Sequence, residues 1–133
     1  ESPIHFELMV HRIRDAWGFK SASKKMTERT MNIFNYSVKK SGITKDQNGF
    51  IWSSSKHSMV KARGPSRNGD ARKAEHVPME EIILVFKELK SISRDTIAKD
   101  EMYKRTAELF GWTRLGAVVN KRLEASLRKM KRD

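Results

Sequence analysis

The sequence predicts a mainly α-helical protein with a small β-hairpin, arranged as two tandem winged-helix-like (helix-turn-helix) units. Three observations predict it. Apolar residues recur at helical spacing in several segments. One Asn-Gly turn, Asn48-Gly49, separates two short β-prone runs. A segment near the N-terminus returns, without a gap, 93 residues later. The 133 residues suffice for one ordinary domain or two very small ones, and 38 % apolar residues with three Trp and six Phe suffice for small cores.

The first helix is predicted by Phe6, Met9, Val10, Ile13 and Trp17, which follow the i, i+3, i+4, i+7 spacing of an amphipathic stripe. Gly18 ends it as a left-handed cap. Ser21 or Ser23 then caps a second helix over about 22–40, closed by Gly42. On a helical wheel Ala22, Met26, Thr30, Ile33, Phe34, Ser37 and Val38 fall on one side. Lys24, Lys25, Glu28, Asn32, Asn35 and Lys39 fall on the other. Ile43 to Lys45 and Phe50 to Trp52 are strand candidates around a turn of Asp46, Gln47, Asn48 and Gly49.

The stretch 53–77 is rich in Ser, Gly, Asn and basic residues and holds few large aliphatics, so it is expected to be a flexible basic linker. Residues 79–92 then form a helix with an apolar stripe of Ile82, Ile83, Val85, Phe86 and Leu89. The repeat follows: Ile4, Met9, Arg12, Gly18 and Arg29 align with Ile97, Met102, Arg105, Gly111 and Arg122. The pair Trp17 and Phe19 aligns with Phe110 and Trp112 around the shared Gly. Leu115, Val119, Leu123, Leu127 and Met130 form the apolar side of the last helix, with Lys121, Arg128 and Arg132 opposite. The expected organisation is a first unit over 1–52, the linker over 53–77, and a second unit over 78–133 without a wing. The first unit has no counterpart of helix 79–92, as expected of a chain that opens on Glu rather than Met and is a piece of something longer.

The net charge of +12 makes a polyanion the expected partner. It is not spread evenly. Residues 20–40 carry +5, 53–77 carry +4 and 113–133 carry +5, whereas 1–19, 41–52 and 78–112 are near neutral. A surface basic only for solubility needs no such segregation. The absence of Cys excludes a disulfide framework and thiolate metal sites. No apolar run approaches the roughly 20 residues that span a bilayer. The four histidines lack metal-ligand spacing, His11 and Asp15 at i, i+4 being the nearest approach, and Ser53–Ser55 beside His57 sit in low-complexity sequence. No enzyme activity, cofactor or metal is expected.

The residues "SPIHFELMVHRIRDAWGFKSASKKMTER" and "VPMEEIILVFKEL…ISRD…RTAELFGWTRLGAVVNKRLEASL" resemble a helicase-associated domain of unknown function. It is found at the C-terminal end of large bacterial superfamily-1 helicase proteins, which often also carry an endonuclease-like module. The positions that carry the resemblance are Pro3, Ile4, Trp17, Gly18, Phe19 and Arg29, then Pro78, Glu80, Glu81, Ile82, Phe110, Gly111, Trp112 and Arg122. It implies a DNA-processing context in a bacterial cytoplasm, at the nucleoid, and a larger parent polypeptide as partner. It does not imply a motor in this chain, which lacks a phosphate-binding loop. The family's first basic helix is richer in Arg than "KSASKKMTERT", and Lys meets phosphate as a point charge without Arg's fork.

The expected DNA contacts are Lys20, Lys24, Lys25 and Asn32 in the first unit and Thr113, Arg114, Lys121 and Arg128 in the second. Lys45, Gln47 and Asn48 are candidates at the tip of the hairpin. Lys56, Lys61, Arg63, Arg67, Arg72 and Lys73 are candidates on a flexible arm. Contact with the phosphates of duplex or junction DNA, without sequence preference, is the expectation. Trp17, Phe19, Phe110 and Trp112 are expected to pack in cores, and Trp52 likewise. Arg29 and Arg122 are expected to pair with Asp15 and Glu108 or to cap the preceding helix. The alternative function is a protein–protein docking module of the same parent helicase.

Overall fold

The computed structural model describes residues 2–53 and 60–133, the side chains of 39–41 apart. The described residues are mainly helical and form five α-helices and one small three-stranded sheet. The chain divides into two compact units at residues 59 and 60.

The first unit runs β1 (Ile4–His5), α1 (Phe6–Ala16), α2 (Lys24–Ser41), β2 (Thr44–Lys45) and β3 (Phe50–Trp52). The sheet is antiparallel throughout, in the order β1-β3-β2. Ile4 pairs with Ile51 and His5 with Phe50, while Thr44 pairs with Trp52 and Lys45 with Ile51. As the middle strand, β3 is buried along its length. The hairpin is where Asn48-Gly49 places it, and Asp46 fixes its turn. Asp46 Oδ1 accepts from the N–H groups of Asn48 and Phe50, at 2.9 and 3.0 Å. Its Oδ2 accepts from Trp52 Nε1 at 2.9 Å. Trp52 is buried, as expected. The strand β1 is not predicted by the sequence. Two residues are too short for a period-2 pattern, and they read as the lead-in to α1. They pair because β3 offers a second edge beyond the hairpin.

Phe6, Val10 and Ile51 form the core of this unit, with Ile4, Met9, Ala22, Met31, Phe34 and Ile43 packed around it. Ser23 caps α2, its Oγ accepting from Met26 N–H at 3.1 Å. Gly42 closes the helix in the left-handed region. The apolar stripe of α1 ends sooner than its spacing predicts, because Trp17 is 74 % exposed.

The second unit opens with an irregular segment and a short 3-10 turn (Ala74–His76). Then follow α3 (Met79–Ile92), α4 (Lys99–Phe110) and α5 (Ala117–Arg132). Its core unites Val77, Ile82, Val85, Phe86, Met102, Tyr103, Phe110, Leu123 and Leu127. The helix at 79–92 lies where its apolar stripe predicts. The starts of α1 and α4, at 6 and 99, and of α2 and α5, at 24 and 117, each differ by the 93 residues of the repeat. Gly18 and Gly111 both take positive φ, +73° and +77°, at the turn between the paired helices.

Residues 60–77, expected to belong to the flexible linker, are part of the second unit instead. The reason is a buried carboxylate. Glu81, on the first turn of α3, is fully buried. Arg63 donates to it from its backbone N–H and its guanidinium, at 3.1 and 2.5 Å. Arg72 donates from both guanidinium nitrogens, at 3.1 and 2.7 Å, and also to the carbonyl of Arg63 at 2.8 Å. A lone charge there would cost several kcal/mol, of order 3–5, so the carboxylate and the two arginines order one another. Ala62 also packs on the core. Residues 54–59 of the expected linker, including Lys56 and His57, lie outside the described residues.

Candidate nucleic-acid interface

Each of the two basic helices has a side that packs and a side that does not. On α2, Met26, Thr30, Met31, Phe34 and Val38 are half-buried. Across the helix, Lys24, Lys25, Glu28, Arg29, Asn32, Asn35 and Tyr36 are exposed, with Lys20 just before. The Lys39 side chain lies outside the described residues. Ile33 departs from its expected place on the apolar side: it is 68 % exposed, beside Tyr36 at 65 %. The sheet and α1 are too small to cover a full apolar arc of α2, so its margin remains in solvent.

On α5, Leu123 and Leu127 are buried and Val119 and Met130 pack beside them. Lys121, Arg128, Lys131 and Arg132 are exposed. Thr113 and Arg114, in the turn before α5, are exposed as well. Leu115 was expected on the apolar side but precedes the helix and is 41 % exposed. The acid on this helix, Glu124, is engaged by Lys99 Nζ at 2.9 Å and by Tyr103 Oη–H at 2.8 Å. Those two hydrogen bonds, Lys99 first, hold its carboxyl below the usual range. Burial, and then the hydrogen bond to Glu124, push the Tyr103 phenol up.

The charges of the two helices do not superpose under the repeat. Lys24 and Lys25 fall on Ala117 and Val118, and Lys121 falls on Glu28. On α2 the exposed cations are Lys24 and Lys25 in the first turn and Arg29 a turn later, whereas on α5 they are Lys121, Arg128, Lys131 and Arg132, spread to the end of the helix. What the units share is a cationic helix surface, not a common set of contacts.

Other expected residues separate into presented and internal ones. Arg67, Lys61 and Lys73 are exposed, but Arg63 and Arg72 are committed to Glu81 and leave the proposed arm. Asn48 is exposed at the hairpin tip. Lys45 is exposed yet leans inward, its Nζ 4.9 Å from the Phe6 ring centre and 3.8 Å from Met31 Sδ. Arg122 is internal, as expected, but its hydrogen bonds go to the carbonyl of Val77, at 3.1 and 2.7 Å, rather than to Glu108. Asp15 is taken by its neighbour Arg14 at 2.7 Å instead of Arg29, which is exposed. Lys129 pairs with Glu80.

The two aromatic-Gly-aromatic motifs differ most. Phe110 and Trp112 pack as expected, their rings stacked at 5.0 Å and Trp112 Nε1 donating to the carbonyl of Arg72 at 2.7 Å. Trp17 and Phe19 do not: they are 74 % and 53 % exposed. No helix among the described residues is long and apolar enough to cross a membrane. Comparison of the chain with family models, curated proteins and solved structures finds no match.

Proposed function

We propose that this chain is a non-catalytic DNA-binding accessory region of a larger DNA helicase or nuclease, contacting duplex phosphates through α2, α5 and nearby basic loops. The observation that carries the proposal is the separation of sides on those two helices. Their apolar sides pack, and Lys24, Lys25, Lys121 and Arg128 stand exposed across from them. A helix held this way can lay its cations along a phosphate backbone without unfolding. In the first unit, the order strand, helix, helix, hairpin and the sheet order β1-β3-β2 favour a winged-helix reading, with α2 as the presented helix and Asn48 at the wing tip. The helicase context rests on the sequence resemblance alone.

Lysine-dominated contact in the first unit favours affinity for backbone over base reading. About six phosphate contacts would give a slope of log K against log salt of roughly −5. Fluorescence anisotropy with a labelled blunt duplex, from about 50 to 200 mM salt, tests this. A steep slope supports the proposal, and a flat response overturns it. The second reading, a docking module for a protein partner, is favoured by the exposed Ile33 and Tyr36 on the same helix. It predicts no measurable duplex binding at low salt.

A further inference from the structure

We propose that Trp17 and Phe19 form a stacking platform for unpaired DNA bases, set beside the phosphate-binding surface of α2. The proposal rests on the DNA-binding reading above and names a second substrate feature for the same unit, a single-stranded segment.

Four observations carry it. First, the two rings are presented rather than packed, at 74 % and 53 % exposure, and their centres lie 6.4 Å apart with a 39° tilt. At that tilt neither ring covers the other, so each keeps a face for a base. Second, the backbone that carries the two rings is held in place. Gly18 N–H donates to Asp15 O at 3.2 Å and Phe19 N–H to Arg14 O at 3.0 Å, closing the end of α1. Third, the charge is right for a nucleic acid. Lys20 follows Phe19 directly, Lys24 and Lys25 open α2, and all three are exposed. The carboxylate just before the platform, Asp15, is neutralised by Arg14. Fourth, the second unit indicates what such a motif does when it is structural. There the equivalent rings stack on each other, Phe110 is buried, Trp112 Nε1 donates to the carbonyl of Arg72, and the glycine between them is closed in, a Cβ at Gly111 falling within 3.1 Å of Pro65 and Ala71. At Gly18 that space is open.

Unpaired bases have π faces to offer, and stacking on an aromatic is worth about 1–3 kcal/mol per base without sequence preference. Paired bases inside a duplex have no such free face. The occupant is therefore a single-stranded stretch, with its phosphates on Lys20, Lys24 and Lys25.

The test uses the whole 133-residue chain, its Trp17→Ala/Phe19→Ala variant and the conservative Trp17→Tyr. The probes are a labelled oligo-dT of roughly 15 nucleotides and a blunt duplex. Both side chains are exposed, so circular dichroism should be unchanged. The expected result is a loss of at least about tenfold in oligo-dT affinity for the double variant, with blunt-duplex affinity within about twofold and Trp17→Tyr close to wild type. Trp emission should be quenched on oligo-dT binding by the wild type and not by the double variant, since Trp52 is buried and Trp112 half-buried. Unchanged oligo-dT affinity, as a protein-docking face would give, overturns the proposal. So does an equal loss on both probes. Duplex binding by a wild type that ignores oligo-dT overturns the platform alone, whereas no binding to either probe overturns the DNA-binding reading with it.

Discussion

Arg72 lies 2.7 Å from the fully buried carboxylate of Glu81, with Arg63 on the same group. These contacts hold residues 63 and 72 against α3. Glu81→Gln would leave two guanidinium groups, 30 % and 12 % exposed, without their counter-charge. The expected cost is about 3–5 kcal/mol of stability in the second unit. Chemical denaturation followed by Trp112 fluorescence measures it, since Trp112 is bonded to Arg72. A change under about 1 kcal/mol would remove the carboxylate from its ordering role.

The two repeat glycines separate backbone strain from packing. At Gly18 a Cβ meets nothing within 4 Å, whereas at Gly111 it would sit 2.6 Å from Pro65 Cγ. Both have positive φ. Gly18→Ala should therefore cost only the left-handed strain, about 1–2 kcal/mol. Gly111→Ala should cost visibly more, because a ring atom cannot swing aside. Thermal melts of the two variants in parallel decide this, and equal costs would mean that Pro65 yields.

Asp46 holds the hairpin by three accepted hydrogen bonds, one of them from buried Trp52. Asp46→Ala should destabilise the first unit by about 1–3 kcal/mol through the loss of its hydrogen bonds to the turn and to the Trp52 indole. Trp52→Phe combined with it should recover part of that stability, as a double-mutant cycle would register.

The pH dependence of the second unit has two limbs. The carboxyl of Glu124 titrates lower in the folded state than in the unfolded one. Between those two values the unfolded state binds more protons, so stability is present above the ordinary carboxylate pKa of about 4.3 and is lost as pH falls below it. Tyr103 titrates higher when folded. Above pH about 10 the unfolded state sheds the phenolic proton first, so stability falls as pH rises. Glu124→Gln should reduce the acid limb, to which Glu101, held low by its hydrogen bond from Arg105, also contributes, and Tyr103→Phe should reduce the alkaline one, in denaturation midpoints measured across pH.

How much the sequence disclosed depended on range. The helices, the caps at Ser23 and Gly42, and the hairpin follow from local spacing and turn chemistry, and all were legible. The 93-residue repeat placed the starts of α4 and α5 relative to α1 and α2. What stayed hidden were effects of distant partners. Residues 60–77 look like a linker because their composition is polar, and distant partners make them structural: Glu81 for Arg63 and Arg72, Trp112 for the Arg72 carbonyl, Arg122 for the Val77 carbonyl. Trp17 and Trp112 sit in matching motifs, yet one is bare and one is bonded to Arg72. Nothing within either motif distinguishes them, because the covering segment lies some 40 residues away in sequence. The candidate surface was partly legible: Lys24, Lys25, Lys121 and Arg128 are exposed as expected, while Arg63 is spent internally.

The proposed function stands on exposed cations of α2 and α5 holding DNA, and charge reversal isolates that role. Lys24→Glu/Lys25→Glu and Lys121→Glu/Arg128→Glu, separately and combined, should keep wild-type circular dichroism, since all four side chains are exposed. Blunt-duplex affinity at low salt should fall in each double variant and vanish in the quadruple one. The salt slope should shrink by about 0.9 for each phosphate that is no longer neutralised. Duplex binding by the folded quadruple variant with wild-type affinity and slope would refute the role given to these helices.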